Sequence, residues 1–295
     1  MQHSNVGSKK LCHKYFIILL LGLLLLSACS IEIDTLQPAD DGILEIHFID
    51  TGQSDSIFIK SPNGNSMLID AGNNDDGQTI IDYIERLNVH RLDFVVGTHP
   101  HEDHIGAMDD IIEHFDIGKI LMPKVTANTK TFKDVLLAVK DKGLKVTSAR
   151  GGMEFSLDED VNIDILAPNS SSYENLNNYS IVIKLTYGNT SFLFTGDAEK
   201  ISEEEMLKNE NYNLSADVLK VAHHGSSSGT TKEFLSAVSP KYAVICVGSD
   251  NTYGHPHKET LELLSDYGVQ VYTTADNGNI LITSDGQNIE IKRVK

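Results

Sequence analysis

The chain has 295 residues, with 24 Lys and Arg against 42 Asp and Glu, a formal net charge of −18. That acidity argues against a protein that grips nucleic acid through a broad basic face, because such a chain repels polyanions at long range. Its 40% hydrophobic content and its length are enough for one core, with about 75% of the surface buried at this size.

Lys9, Lys10 and Lys14 make a basic start, and Tyr15 to Leu26 is an apolar run with one glycine. The run is short for a membrane span, which needs about 20 apolar residues, and it fits the apolar part of a secretory signal. Leu26-Ser27-Ala28-Cys29 resembles a bacterial lipobox. That resemblance implies cleavage before Cys29, a lipid on its sulfur, and an exported protein anchored on the outer face of the bacterial cytoplasmic membrane. An uncleaved anchor helix is the alternative. The organisation expected is a lipoprotein signal peptide over 1–28, a polar tether over 29–42 with Pro38 inside it, and a single domain over 43–295. Cys12 falls in the signal and Cys246 in an apolar run, so no pair remains for a disulfide.

Ile43–Ile49 alternates apolar and polar residues as a half-buried strand does. Strands Asp55–Lys60 and Ser66–Asp70 follow, joined by the turn Ser61-Pro62-Asn63-Gly64-Asn65. Ile80, Ile81, Ile84 and Leu87 predict a helix, Leu92–Gly97 a buried strand and Ile105–Phe115 a helix. Then come strand Ile117–Met122, helix Thr131–Lys140 and strand Lys145–Ser148, and a mainly antiparallel run through Phe155, Val161–Leu166, Ile181–Tyr187 and Ser191–Thr195. The second half repeats the scheme: helix Glu199–Leu207, strand Val218–Ala222, helix Lys232–Val238, strand Tyr242–Val247, helix Glu259–Tyr267, strand Gln270–Thr273, and a hairpin around Asp285-Gly286. The layer logic is α/β.

Thr98-His99-Pro100-His101-Glu102-Asp103-His104 follows the buried strand directly, and histidine is only 12 of 295 residues. Alternation delivers His99 and His101 to one side of an extended chain, with Asp103 and His104 in the turn that follows. Imidazole nitrogen and carboxylate oxygen are ligands for borderline divalent metals. Four of them this close suit two adjacent sites better than one tetrahedral ion.

This HxHxDH run is similar to the signature of metallo-β-lactamase-fold hydrolases. Three further pieces resemble that superfamily in order and spacing: Asp70-Ala71-Gly72, Gly196-Asp197 and His223-His224-Gly225-Ser226, each at a strand end. Asp50 to Ser56, Asn177-Asn178-Tyr179-Ser180 and Tyr253-Gly254-His255-Pro256 narrow the likeness to the extracellular hydrolase domain of ComEC-type competence proteins, which are DNA-uptake channels. Pneumococcal phosphorylcholine esterase is a more distant likeness. The resemblance spans roughly residues 43–292 and includes no channel. It implies an αββα four-layer sandwich.

Carried over residue by residue, the resemblance implies two divalent metal ions, zinc with manganese admitted. His99 and His101 would hold the first, and Asp103, His104 and a histidine of the His223/His224 pair the second, with His224 favoured. Asp197 would bridge both. The family's further histidine is missing, since none occurs between His114 and His223. The first site would then add only an amide oxygen or water. Asp103 and His255 are the candidate catalytic residues, the latter to grip phosphate or protonate the leaving oxygen. Asp70, Asn178 and Ser226 are candidates to orient ligands or touch substrate. Lys220 is expected to face solvent, and His47, His90, His114 and His257 to have ordinary structural or surface roles.

The implied reaction is hydrolysis of a phosphodiester by water activated between two metals. The substrate would be DNA, with a link to a DNA-uptake channel, or an envelope polymer. Amide or lactone hydrolysis on the same fold and a non-catalytic accessory lipoprotein are the alternatives. The missing histidine argues against the first, and the crowded ligand set against the second.

Overall fold

The computed structural model describes residues 42–294. The expected signal peptide, Cys29 and nearly all of the tether lie outside the described residues. Among the described residues no helix is long and apolar enough to cross a membrane.

The strands fall into two mixed sheets. The first contains β1 (Leu44–Phe48), β2 (Ile57–Lys60), β3 (Ser66–Ile69), β4 (Arg91–Val96), β5 (Asp116–Pro123), β6 (Val146–Ala149), β14 (Asn279–Ser284) and β15 (Ile289–Val294), in the order β15-β14-β1-β2-β3-β4-β5-β6. The second contains β7 (Met153–Asp158), β8 (Val161–Ala167), β9 (Val182–Tyr187), β10 (Thr190–Phe194), β11 (Val218–Lys220), β12 (Tyr242–Ile245) and β13 (Gln270–Thr273), in the order β13-β12-β11-β10-β9-β8-β7. Strands β3 to β6 run parallel, and so do β10 to β13.

Alternation along each strand separates the apolar residues into layers. Ile46, Phe48, Ile57, Ile59, Met67 and Ile69 meet Phe192, Phe194, Val218 and Val244 between the two sheets. The alternate residues Phe58, Leu68 and Val95, joined by Leu92 at the start of β4, face helices α1 (Gly77–Arg86), α3 (Met108–His114) and α4 (Lys130–Asp141). On the far side Leu193, Leu219, Ala243 and Ile245 face α5 (Lys200–Lys208), α6 (Lys232–Val238) and α7 (Lys258–Asp266). The result is the αββα sandwich expected from the sequence.

One expected helix is broken. The Ile105–Phe115 pattern becomes α2 (Glu102–Ile105) and α3, separated at Gly106-Ala107. The cause is the turn after β3, which pushes into the gap. Gly106 N donates to Gly72 O at 2.8 Å, Ala107 N to Ala71 O at 3.2 Å, and Ala71 N to His104 O at 2.7 Å. A side chain at Gly106 has no room, because a Cβ there would lie 2.2 Å from the Asn73 carbonyl carbon. This seam fixes Asp103 and His104 against the Asp70 turn. Gly106→Ala is therefore expected to lower stability by about 1–3 kcal/mol through overpacking, read as a lower urea midpoint in far-UV circular dichroism. An unchanged midpoint would show that the two turns are not held together here.

Candidate metal centre

The chemistry-bearing residues gather outside the C-terminal ends of the parallel strands, where open α/β sheets place their ligands. β3 ends just before Asp70, β4 leads to Thr98 and His99, β10 to Asp197, and β11 to the turn Ala222–Gly225. Asp55 joins them because β2 runs antiparallel to β3, so the start of one strand lies beside the end of the other. Both His223 and His224 adopt left-handed backbone, at φ 50° and 51°. Such strain in non-glycine residues costs of order 1–3 kcal/mol each and is concentrated at functional sites. His223 N is tied to Gly196 O at 3.1 Å, which holds the strained turn against Asp197.

Asp197 organises the site. Its Oδ1 lies 3.2 Å from His104 Nε2 and 3.9 Å from His224 Nε2. Its Oδ2 lies 3.6 Å from His223 Nε2 and 3.9 Å from His99 Nε2. The two carboxylate oxygens thus face two different sets of imidazoles. On the first side His99 Nε2 is 2.9 Å from His101 Nδ1. On the second, Asp103 Oδ2 is 3.2 Å from His224 Nε2 and 3.8 Å from His104 Nε2. Ligand atoms of Asp103, His104, Asp197 and His224 all lie within 4.8 Å of one another. The histidine pair is split, His224 serving the second set while His223 approaches the first.

Three of the imidazoles are held from behind. Asp70 is fully buried, and its Oδ2 is 2.7 Å from His104 Nδ1. Asp70 also accepts from Thr98 N and Thr98 Oγ1, both at 2.8 Å. His99 Nδ1 lies 3.2 Å from Thr98 Oγ1 and 3.3 Å from Ser180 Oγ. His224 Nδ1 donates to the Cys246 carbonyl at 2.9 Å. These contacts turn His99, His104 and His224 so that Nε2 faces the site, the usual way a protein orients metal-binding imidazoles.

The electrostatics call for cations. Burial pushes against ionisation of Asp197, but His104 and His224 outweigh it and hold the carboxyl well below its ordinary range. Burial opposes a proton on His104, yet Asp197, Asp103 and Asp70 raise its pKa well above that of a free imidazole. Burial and the neighbouring His104 keep His99 neutral. His104 Nε2 and Asp197 Oδ1 are both buried without a hydrogen-bond partner. A buried polar pair left unsatisfied in this way is costly, and a cation bound to the carboxylate oxygen and the deprotonated ring nitrogen would satisfy both. The donor set therefore fits two divalent ions, with nitrogen and oxygen ligands in both positions.

Other expected residues are placed differently. His255 lines the same cleft of about 490 Å³, with Gln53, Asn177 and Tyr253. Burial and the imidazoles of His223, His257 and His224 lower its pKa to about 4. It is therefore neutral at neutral pH and suits a hydrogen bond to phosphate better than proton donation. Asn178 does not face the cleft: it is buried, and its Oδ1 accepts from Glu199 N and Ser202 N at the start of α5. Its neighbour Asn177 lines the cleft instead, with Oδ1 buried and unpartnered. Ser226 is buried and ties the loop through Ser228 N and Ser228 Oγ. His257 Nδ1 accepts from Ser227 N at 3.0 Å, His47 packs on Tyr83, and His114 pairs with Glu85.

Lys220 corrects the expectation of a solvent-facing lysine. It is buried, with Nζ 2.5 Å from Asp55 Oδ2. β11 is a central strand covered on both faces, so its alternate positions point into one layer or the other. Sequence reasoning also missed Asp55, Thr98, Ser180 and Asn177 as parts of the site. All four lie within or beside the quoted motifs, but their contacts are long-range in sequence.

The chain belongs to the metallo-beta-lactamase superfamily, whose family model matches residues 49–249. Among curated proteins it is 31% identical over 253 residues to ComE operon protein 3 of Bacillus subtilis, covering 80% of this chain and 32% of that protein. It is 27% identical over 248 residues to competence protein ComA of Neisseria gonorrhoeae, covering 83% and 33%. The chain thus spans about a third of the length of these relatives. The fold is shared with the metallo-beta-lactamase fold protein YhfI of Bacillus subtilis, at a TM-score of 0.52 and 13% identity over 82% of this chain and all of that one. A metal-dependent hydrolase fold with competence-protein relatives is the outcome.

Two substitutions check the centre. Asp197→Ala should abolish binding of both metal equivalents in a chelator-competition titration; retention of both would exclude a shared carboxylate. Asp70→Asn should weaken metal binding about 10–100-fold, the usual effect of losing a group that orients a ligand.

Proposed function

We propose that this protein is an exported, lipid-anchored phosphodiesterase of the ComEC-like competence class, acting on nucleic acid outside the cytoplasmic membrane with two divalent metal ions. The observation that carries the reading is Asp197, whose two oxygens face separate imidazole sets at the floor of an open polar cleft. The competence relatives support nucleic acid as the substrate.

A pair of dications in such a centre supplies Lewis acidity, acidifying water and offsetting charge on a phosphate. His99, His101, Asp197 and His223 would hold one ion, and Asp103, His104, Asp197 and His224 the other. Asp103 is the most exposed of the acidic ligands, its side chain 34% accessible, so it also reaches water at the cleft floor. It stays ionised, because His104 and His224 outweigh the burial that would protonate it. That suits a group that accepts a hydrogen bond from the attacking water. His255, neutral and 3.5 Å from Gln53, stands opposite to meet a phosphate oxygen. The exposed Tyr253 ring, nearly parallel to His255 at 5.7 Å, offers an apolar face at the mouth of the cleft. Aromatic faces in this position stack bases without regard to sequence.

The net charge favours one other substrate. A chain at −18 disfavours long polyanions, so a short envelope phosphodiester of the phosphorylcholine-esterase type is the second reading.

The test is turnover of bis(p-nitrophenyl) phosphate by the purified protein with manganese or zinc. Metal-dependent hydrolysis is expected, falling at least 100-fold in Asp103→Asn, a loss of about 3 kcal/mol in transition-state stabilisation. An inert protein that still binds two metals would remove phosphodiester hydrolysis as the reading. Single-stranded DNA and choline-phosphate esters, compared as substrates, separate the two classes.

A further inference from the structure

Lys220 and Asp55 are used by none of the chemistry above, yet both are almost wholly shielded from solvent at the back of the centre. They come from different halves of the sandwich. Lys220 ends β11 in the second sheet, three residues before His223, while Asp55 precedes β2 in the first. Among the described residues this is the one lysine–carboxylate pair that joins the two sheets.

Asp55 is a junction. Its backbone N donates to Asp103 O at 3.0 Å, and its carbonyl accepts from Gly72 N at 2.9 Å. Its side chain reaches the other way, with Oδ1 3.4 Å from His224 Nδ1 and Oδ2 held by Lys220. Oδ2 also lies 3.9 Å from His104 Nδ1. The residue therefore touches the loop that carries Asp103, the turn that carries Asp70, and two of the imidazoles. Lys220 itself is fixed by the sheet: Phe194 and Val244 flank it in register, and its carbonyl accepts from Thr195 Oγ1 at 2.7 Å.

We infer that Lys220 and Asp55 form a positioning pair that sets the spacing of Asp103 and His104 against His224 across the two sheets. The inference rests on the reading that these residues hold a metal ion. A divalent site needs its ligand atoms placed to within a few tenths of an ångström, and here the ligands belong to separate sheets. A buried ammonium–carboxylate contact is short and strongly distance-dependent. It can hold that spacing where apolar packing alone leaves more freedom. Neither residue touches the substrate cleft, so both act through the ligands.

The test is a metal titration of the purified protein with zinc against a chromophoric chelator, run beside thermal unfolding of the metal-free protein. His224→Ala identifies the equivalent that belongs to the second set. In Lys220→Met that equivalent should bind 10–100-fold more weakly, and the cobalt-loaded protein should show altered visible ligand-field bands. Lys220→Met leaves Asp55 buried and unpaired, so its melting temperature should also fall. The double variant Lys220→Met with Asp55→Asn removes the stranded charge and should regain stability while the equivalent stays weak. Full affinity in the stabilised double variant would overturn the inference, since the pair would then be structural only. Unchanged binding in a folded Lys220→Met would overturn it too. Failure of the wild type to bind any metal would sink the inference together with the functional reading, whereas the other failures leave that reading standing.

Discussion

The structure depends on one electrostatic constraint: Asp55, Asp70, Asp103 and Asp197 are drawn together at the end of the sandwich, three of them almost wholly buried. Buried carboxylates are tolerated only when each has a cation or a set of donors. Asp70 has Thr98 and His104, Asp55 has Lys220, and Asp103 has His224. Asp197 faces several imidazoles, with no lysine paired to it among the described residues and no committed donor to Oδ1. That leftover valence suits the cluster to hold metal rather than to close as an ion-pair network.

The fold serves this constraint through strand direction. Parallel strands in both sheets bring their carboxyl ends to the same edge, and the turns leaving those ends carry every ligand. The first sheet contributes His99, His101, Asp103 and His104; the second contributes Asp197, His223 and His224. The inter-sheet layer of Phe48, Ile59, Phe192 and Phe194 is therefore more than a core. It brings the two half-sites together, leaving the fine spacing to contacts such as Lys220–Asp55, and a shift of either sheet would open the centre. The αββα arrangement and the site are one geometric problem.

Much of this was legible in the sequence because the signals are local. His99 to His104 follow a buried strand at ligand spacing, and the strand-end positions of Asp70, Asp197 and His223-His224 each show within a few residues. What local patterns do not carry is the partner across the molecule. Lys220 reads as an ordinary strand residue until β11 is known to lie between β10 and β12, with Asp55 from the other sheet facing it. The assignment of Asn178 rather than Asn177 has the same origin. The tight turn Leu176–Tyr179 decides which amide enters the cleft, and adjacent residues there point in different directions. The helix break at Gly106 was hidden because its cause, the Ala71–Asn73 backbone, is distant in sequence.

The chain's acidity and its proposed substrate are reconciled by range. Charges separated by more than about 8 Å are largely screened at physiological ionic strength, so the net −18 acts mainly as a weak barrier to approach. Inside the cleft, short contacts decide. Two dications would add four positive charges against the carboxylates of Asp103 and Asp197, and Lys220 already offsets Asp55 from behind. The local balance then favours an anion even though the surface as a whole does not. A phosphodiester held this way would be gripped at one phosphate, with the Tyr253 face as a further contact at the mouth of the cleft. Such a site suits cutting of loosely presented phosphodiesters, and it disfavours the tight, tracking hold that a basic groove gives a processive nuclease.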